Sequence, residues 1–231
     1  MKIKIDVVSD VACPWCYVGM KRLQKALDLM PEIDAEVTWQ PFQLDPGVPA
    51  EGRELKDYYA AKFGGEEQAY RVFENMENVG RGEGINYDFR KMSRTMNTLP
   101  LHVLMLQADA EGFKTALKAR FFKAYFEDAT DLSSQENLVL IMEEFGWSSE
   151  KTTALLGDNQ LRARVKEKIA YFQSRGVTAV PFFIFNDKYG VSGAQSPEML
   201  AGMLTQINSE MAAEVTTENG DSCDLESGNC D

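Results

Sequence analysis

Apolar and polar residues alternate through Lys2-Ile-Lys-Ile-Asp-Val-Val8, the pattern of a strand that ends buried. A turn, Ser9-Asp10-Val11-Ala12, leads into Cys13-Pro14-Trp15-Cys16. The apolar positions then recur at helical spacing (Val18, Leu23, Ala26, Leu27, Met30), and Pro31 ends the helix. A second alternating run at 35–42 sets Val37, Trp39 and Pro41 against Glu36, Thr38 and Gln40. Helical periodicity or end signals dominate the following residues, at 54–63, 66–80, 92–111, 114–128, 134–146, 149–157 and 159–175. Ser133-x-x-Glu136 reads as a capping box, and the glycines of 78–84 read as a break. That break has neither the lysine nor the strand–helix setting of a phosphate loop. Beyond Gly176 strand character returns in Val180-Pro-Phe-Phe-Ile-Phe185 and Tyr189-Gly-Val-Ser-Gly193. Ser196-Pro197 caps a last helix to about Ala212, and residues 213–231 read as a polar, mobile tail. The outline is β-α-β, a helical insert, then β-β-α.

Charge narrows the function. The net charge is −12, and −8 of it lies in residues 189–231, which hold eight acids and no Lys or Arg. Such a chain is a poor ligand for nucleic acid or anionic lipid. The longest apolar runs fall short of the roughly 18–20 residues of a membrane helix, and the opening strand pattern is unlike a signal peptide, so a cytoplasmic protein is expected.

The four cysteines form two pairs, Cys13/Cys16 and Cys223/Cys230. In a reducing compartment paired cysteines point to catalysis or metal rather than to structural disulfides. Cys13 stands where a strand gives way to a helix, so free N–H groups and the helix dipole favour a sulfur anion there, and Pro14 suits the first turn. Cys13 is then the attacking thiol and Cys16, one turn inside, the resolving one. Half of a zinc site and two incidental core cysteines are the competing readings. Val180-Pro181 heads a strand, although proline cannot donate to a ladder.

Ala12-Cys-Pro-Trp-Cys-Tyr-Val-Gly19, Val177-Thr-Ala-Val-Pro-Phe-Phe183 and Val191-Ser-Gly-Ala-Gln195 resemble the DsbA-like thioredoxin superfamily, and its FrnE subgroup in particular, over roughly residues 1–208. The resemblance implies an α/β thioredoxin fold with a large all-helical insertion. Residues 1–45 and 176–212 would form the discontinuous thioredoxin-like domain and 46–175 the insert, followed by the acidic tail of 213–231 with its cysteine pair. It implies a thiol–disulfide oxidoreductase or isomerase acting on protein or small-molecule disulfides, with no bound cofactor, no metal, and glutathione as one candidate electron donor. It also implies a cis bond before Pro181, placed beside the cysteines, with the Val180 backbone pairing to substrate. Pro14, Trp15, Asn97 and His102 would line the groove. A histidine bonded to a backbone carbonyl is the other reading of His102, and a turn residue that of Asp10. Trp15 stands where the periplasmic oxidases of the family carry His, which favours reduction or isomerisation over net oxidation. Cys223/Cys230, which enclose six residues, are expected to be an accessory redox pair exchanging with Cys13/Cys16; a loose disulfide or two idle thiols are the alternative. Two other functions compete. One is a glutathione-dependent isomerase or transferase of the kappa or 2-hydroxychromene-2-carboxylate isomerase type, whose active-site segment is of serine type. The other is a four-cysteine metal module, against which the six-residue gap and Pro14 both argue.

Overall fold

A computed structural model of the protein describes residues 2–218. The cysteine pair Cys223/Cys230 lies outside them. In chain order the elements are β1 (Lys2–Ser9), α1 (Pro14–Asp28), β2 (Asp34–Pro41), β3 (Arg53–Glu54), α2 (Leu55–Phe63), α3 (Glu66–Glu83) and β4 (Arg94–Thr95). There follow α4 (Leu99–Ala110), α5 (Lys114–Phe126), α6 (Gln135–Glu143), α7 (Ser149–Gly157), α8 (Asn159–Ser174), β5 (Phe182–Phe185), β6 (Tyr189–Ser192) and α9 (Pro197–Glu218).

Four strands form one sheet in the order β2-β1-β5-β6. β1 pairs parallel with β2 (Lys2 opposite Asp34) and antiparallel with β5 (Val7 opposite Phe183), and β6 returns antiparallel on β5. Alternation along β1 then decides the two faces. Ile3, Ile5 and Val7 pack with Phe183, Phe185, Leu23 and Leu204. Val8 turns to the other side, onto Phe172, Val177 and Ile184. A larger core in the helical region takes in Cys13, Cys16, Tyr17, Phe121, Phe122, Tyr125 and Phe126. The cysteine pair therefore sits at the seam between sheet and helices.

Several contacts pin that seam. Tyr17 stacks on Phe122 at 5.0 Å between centroids and donates to Glu127 at 2.6 Å. Tyr87 donates to the carbonyl of Pro14 at 2.6 Å. Glu83 takes both Arg22 (2.6 Å) and Lys25 (2.7 Å) from α1, so its carboxyl titrates below the usual range: burial raises it, and the two cations outweigh burial.

The structure departs from the sequence reading in four places. Helix α3 runs through Gly80 and Gly82 instead of breaking at 78–84. A Cβ on Gly80 would fall 2.4 Å from the Tyr87 ring, so the glycine makes room for that ring, and Gly84 (φ 75°) is the actual stop. Residues 92–98 are not helical. Arg94 and Thr95 pair with Glu54 and Arg53, and Pro100 fits only the first turn of α4, which starts at Leu99. The cap of α6 is Ser134, which accepts from Asn137 N–H at 3.3 Å, while Ser133 is drawn to Asp131. Finally, α9 continues to Glu218, past the expected end at Ala212, because residues 213–218 contain neither glycine nor proline.

Candidate active site

Cys13 caps α1 in extended conformation (φ −96°, ψ 111°) with Pro14 next in line, as a strand-to-helix turn requires. Its N–H donates to Asp10 O at 3.2 Å, and Cys16 N–H donates to Cys13 O at 3.0 Å, which closes the short loop. Both residues are buried, Cys13 with 5% of its surface exposed and Cys16 with 1%. The Val180–Pro181 bond is cis. Cys13 Sγ lies 3.6 Å from Val180 O, within reach of a thiol hydrogen bond. Gly19, one turn beyond Cys16, is what lets Pro181 approach: a Cβ there would stand 2.9 Å from Pro181 Cγ.

Cys13 opens onto a cleft of about 330 Å³, lined by Trp15, Leu44, Tyr59, Phe63, Val72 and Val180 among others, with Lys62 also in its wall. Trp15 (39%), Leu44 (41%) and Val72 (36%) are large apolar side chains left in water beside the sulfur. An exposed apolar cluster around one reactive atom is the usual form of a binding site.

The two sulfurs lie in one shared electrostatic environment. The Cys13 thiol is pushed up, because it donates to Cys16 and is buried. Cys16 is moved down: burial opposes its ionisation, but the Cys13 thiol, the Lys118 ammonium and the Ser9 hydroxyl outweigh it. The helix N-terminus thus acts on Cys13, while Lys118 and Ser9 act on Cys16.

Behind the cysteines lies a buried polar cluster. Asp10 (1% exposed) accepts from Leu44 N–H at 2.7 Å and from Ala12 N–H at 3.4 Å. His102 Nε2 donates to Phe42 O at 2.8 Å and stands 3.6 Å from Asp10 Oδ1. Burial would raise the Asp10 carboxyl, yet His102, Leu44 N–H and Lys118 hold it below the ordinary range; burial lowers His102. Lys118, also 1% exposed, is brought down to about 8 by burial.

Asn97 and His102 do not line the cleft at Cys13. Asn97 accepts from Gln43 (3.0 Å) and Leu99 N–H (3.0 Å) and donates to Val48 O (2.7 Å), which ties the 43–48 loop to the start of α4. His102 is bonded to a backbone carbonyl, one of its two expected settings, while also facing Asp10. Lys118 was not among the residues singled out by sequence. The available signal was a lysine at a core-facing position of α5, four residues before Phe122 and one after Leu117.

A dithiol at the head of a helix, facing a cis X–Pro across a β2-β1-β5-β6 sheet with helices inserted between its halves, defines a thiol-based redox protein of thioredoxin fold. The chain belongs to the DSBA-like thioredoxin domain family, whose model matches residues 4–205. It is 34% identical to the probable DsbA oxidoreductase of Streptomyces coelicolor, with a TM-score of 0.82, covering 88% of this chain and 89% of that one. A 2-hydroxychromene-2-carboxylate isomerase (16% identity, TM-score 0.66, coverage 94% and 98%) is similar in fold. So is the cytosolic disulfide reductase DsbM of Pseudomonas aeruginosa, solved with glutathione (18%, 0.61, 89% and 99%). Among the described residues no helix is long and apolar enough to cross a membrane.

Proposed function

We propose that the protein is a dithiol–disulfide oxidoreductase in which Cys13 attacks, or is attacked by, a protein or small-molecule disulfide and Cys16 resolves the mixed disulfide. The observation that carries this reading is Cys13 Sγ standing 3.6 Å from Val180 O at the mouth of an apolar cleft, with Cys16 directly behind it. A substrate segment laid along Val180 would pair with its backbone as an added strand while an apolar side chain enters the cleft. Attack by the Cys13 thiolate breaks the substrate S–S bond and releases one substrate thiolate. Attack by Cys16 on Cys13 Sγ releases the other, so two electrons pass from the protein to the substrate. Glutathione or a similar small thiol would return them, in a reducing compartment such as the cytoplasm; no further cofactor or metal is needed for this chemistry.

Trp15, standing where the periplasmic oxidases of the family carry His, leaves Cys13 without a neighbouring imidazolium, which favours reduction or isomerisation over net oxidation. The complete Cys13/Cys16 pair argues against the isomerase or transferase alternative. The test is the reduction potential of the couple in glutathione buffers, with and without Cys223 and Cys230. A value well below the cytosolic poise of about −220 to −320 mV would make the protein a reductase, and one well above it an isomerase or oxidant. If no reversible disulfide forms, the proposal is wrong.

A further inference from the structure

Helix α1 is headed by Cys13, and further along it Arg22 reaches in two directions at once. Its Nε donates to Glu83 Oε1, at the end of α3, at 2.6 Å, and its Nη1 donates to Ala194 O, just after β6, at 2.6 Å. Both side chains are largely covered, Glu83 with 10% of its surface exposed and Arg22 with 22%. A planar guanidinium holds two acceptors in fixed directions, which an ammonium on a flexible stem does not. The residue before Ala194 continues the path. Gly193 N–H donates to Pro181 O at 2.8 Å, from a backbone with φ of 83° that glycine adopts without strain. Gln195 closes the loop on itself, its N–H on Gly193 O at 3.0 Å and its side-chain amide on Ser192 O at 2.7 Å. Pro181 is thus held from one side by Gly193 and met from the other by Gly19 of α1. Val180, whose carbonyl lies 3.6 Å from Cys13 Sγ, directly precedes it.

We propose that Arg22, anchored by Glu83, is a positioning residue for substrate recognition: it fixes the 193–195 loop, and through Gly193 and Pro181 it sets where the Val180 backbone stands relative to Cys13. This rests on the redox reading above, and Arg22 takes no part in making or breaking bonds. One helix then supplies both the attacking sulfur and the arm that holds the opposite wall, so their separation is set within a single rigid element. The consequence depends on the substrate. A polypeptide laid along Val180 needs that backbone in register, whereas a small aromatic disulfide needs only an open Cys13. The arrangement therefore selects extended polypeptide disulfides over small ones, and Arg22 holds that selectivity. Lys25 provides the contrast. It reaches the other oxygen of Glu83 at 2.7 Å from the next turn of α1, and among the described residues it makes no bond to the 193–195 loop.

The test uses the full chain with Cys223→Ser and Cys230→Ser in stopped flow, against two disulfides that share one coloured leaving group. One is 5,5′-dithiobis(2-nitrobenzoate); the other is an extended peptide with leucine on either side of a single cysteine capped by thionitrobenzoate. With the peptide, the Cys13 thiolate attacks the cysteine sulfur, the S–S bond breaks and thionitrobenzoate leaves with the electron pair. Cys13 is left in a mixed disulfide with the peptide, which Cys16 then resolves. Arg22→Met is expected to raise the peptide concentration for half-maximal rate about tenfold. The maximal rate, and the rate constant with the small disulfide, should stay within about twofold of the parent. Glu83→Gln keeps the shape of the side chain and is the safer variant if Arg22→Met fails to fold; it is expected to raise the same concentration about threefold. Lys25→Met should alter neither reaction. Equal changes for peptide and small disulfide in both Arg22→Met and Glu83→Gln, or as large a peptide effect in Lys25→Met, overturn the proposal and leave the redox reading intact. Release of thionitrobenzoate from neither disulfide by the parent overturns both.

Discussion

Gly19 and Gly202 provide a controlled comparison for how tightly Pro181 is seated on the cysteine helix. Both glycines are inside helices, α1 and α9, so alanine brings each the same gain in helix propensity, about 1 kcal/mol. They differ only in what a methyl group meets. At Gly202 nothing lies within 4 Å; at Gly19 the new Cβ would stand 2.9 Å from Pro181 Cγ, 3.3 Å from Phe183 Cζ and 3.4 Å from Pro181 Cβ. Pro181 immediately precedes β5 and Phe183 lies within it, and a proline ring is fixed to the backbone, so the overlap cannot be relieved by swinging a side chain aside. Overpacking of this kind costs about 1–3 kcal/mol. Gly202→Ala is therefore expected to stabilise by up to about 1 kcal/mol, and Gly19→Ala to be neutral or destabilising by up to about 2 kcal/mol. A gap near 2 kcal/mol between the two corresponds to roughly 4–8 °C in Tm for a chain of this size. Thermal unfolding of the oxidised and reduced forms measures it. Because relief must come from moving α1 away from Pro181, Gly19→Ala is also expected to slow disulfide exchange at Cys13, whereas Gly202→Ala leaves it unaltered. Equal Tm shifts in the two variants, with equal exchange rates, would refute the close approach of Pro181 to α1.

Three further outcomes are expected. Asp10→Asn removes a carboxylate whose folded pKa is depressed, so its stabilising contribution is present above the ordinary aspartate range and disappears as pH falls through the folded value. Denaturant midpoints of parent and variant should thus differ at pH 7 and converge in acid. Lys118 has the same sign in a more alkaline window: with a folded pKa of about 8 against roughly 10.4 when unfolded, the unfolded chain binds the extra proton between these values. Stability of the dithiol protein should rise across that window by up to about 3 kcal/mol from this group, and Lys118→Met should flatten the rise. Leu44→Lys, placing a charge in the apolar cleft, should raise KM for disulfide peptides with large apolar residues beside the cystine. It should leave reaction with a small disulfide nearly unchanged, and equal effects on both substrates would remove the cleft from recognition.

Much of the fold was legible from local pattern. Period-2 alternation marks β1 and β2 because each strand has one face on the core. The helices of the insert show the 3.6-residue period because each buries a single stripe. Ser196-Pro197 announces α9, where Ser196 Oγ accepts from Met199 N–H at 3.2 Å. The sequence also placed Cys13 at a strand-to-helix turn, since that follows from the residues on either side of it.

What it could not contain is decided by contacts between distant segments. The two-residue strands β3 and β4 are too short to have a period, and they exist because residues about 40 apart in sequence meet. Gly80 reads as a breaker until the Tyr87 ring is placed against it. The surroundings of the cysteine pair were hidden for the same reason: Ser9 and Lys118 act on Cys16 from β1 and α5, and the Asp10–His102 pair joins the turn after β1 to α4. Those groups are spread over more than 100 residues. Only packing the helical insert against the sheet brings them within one low-dielectric space.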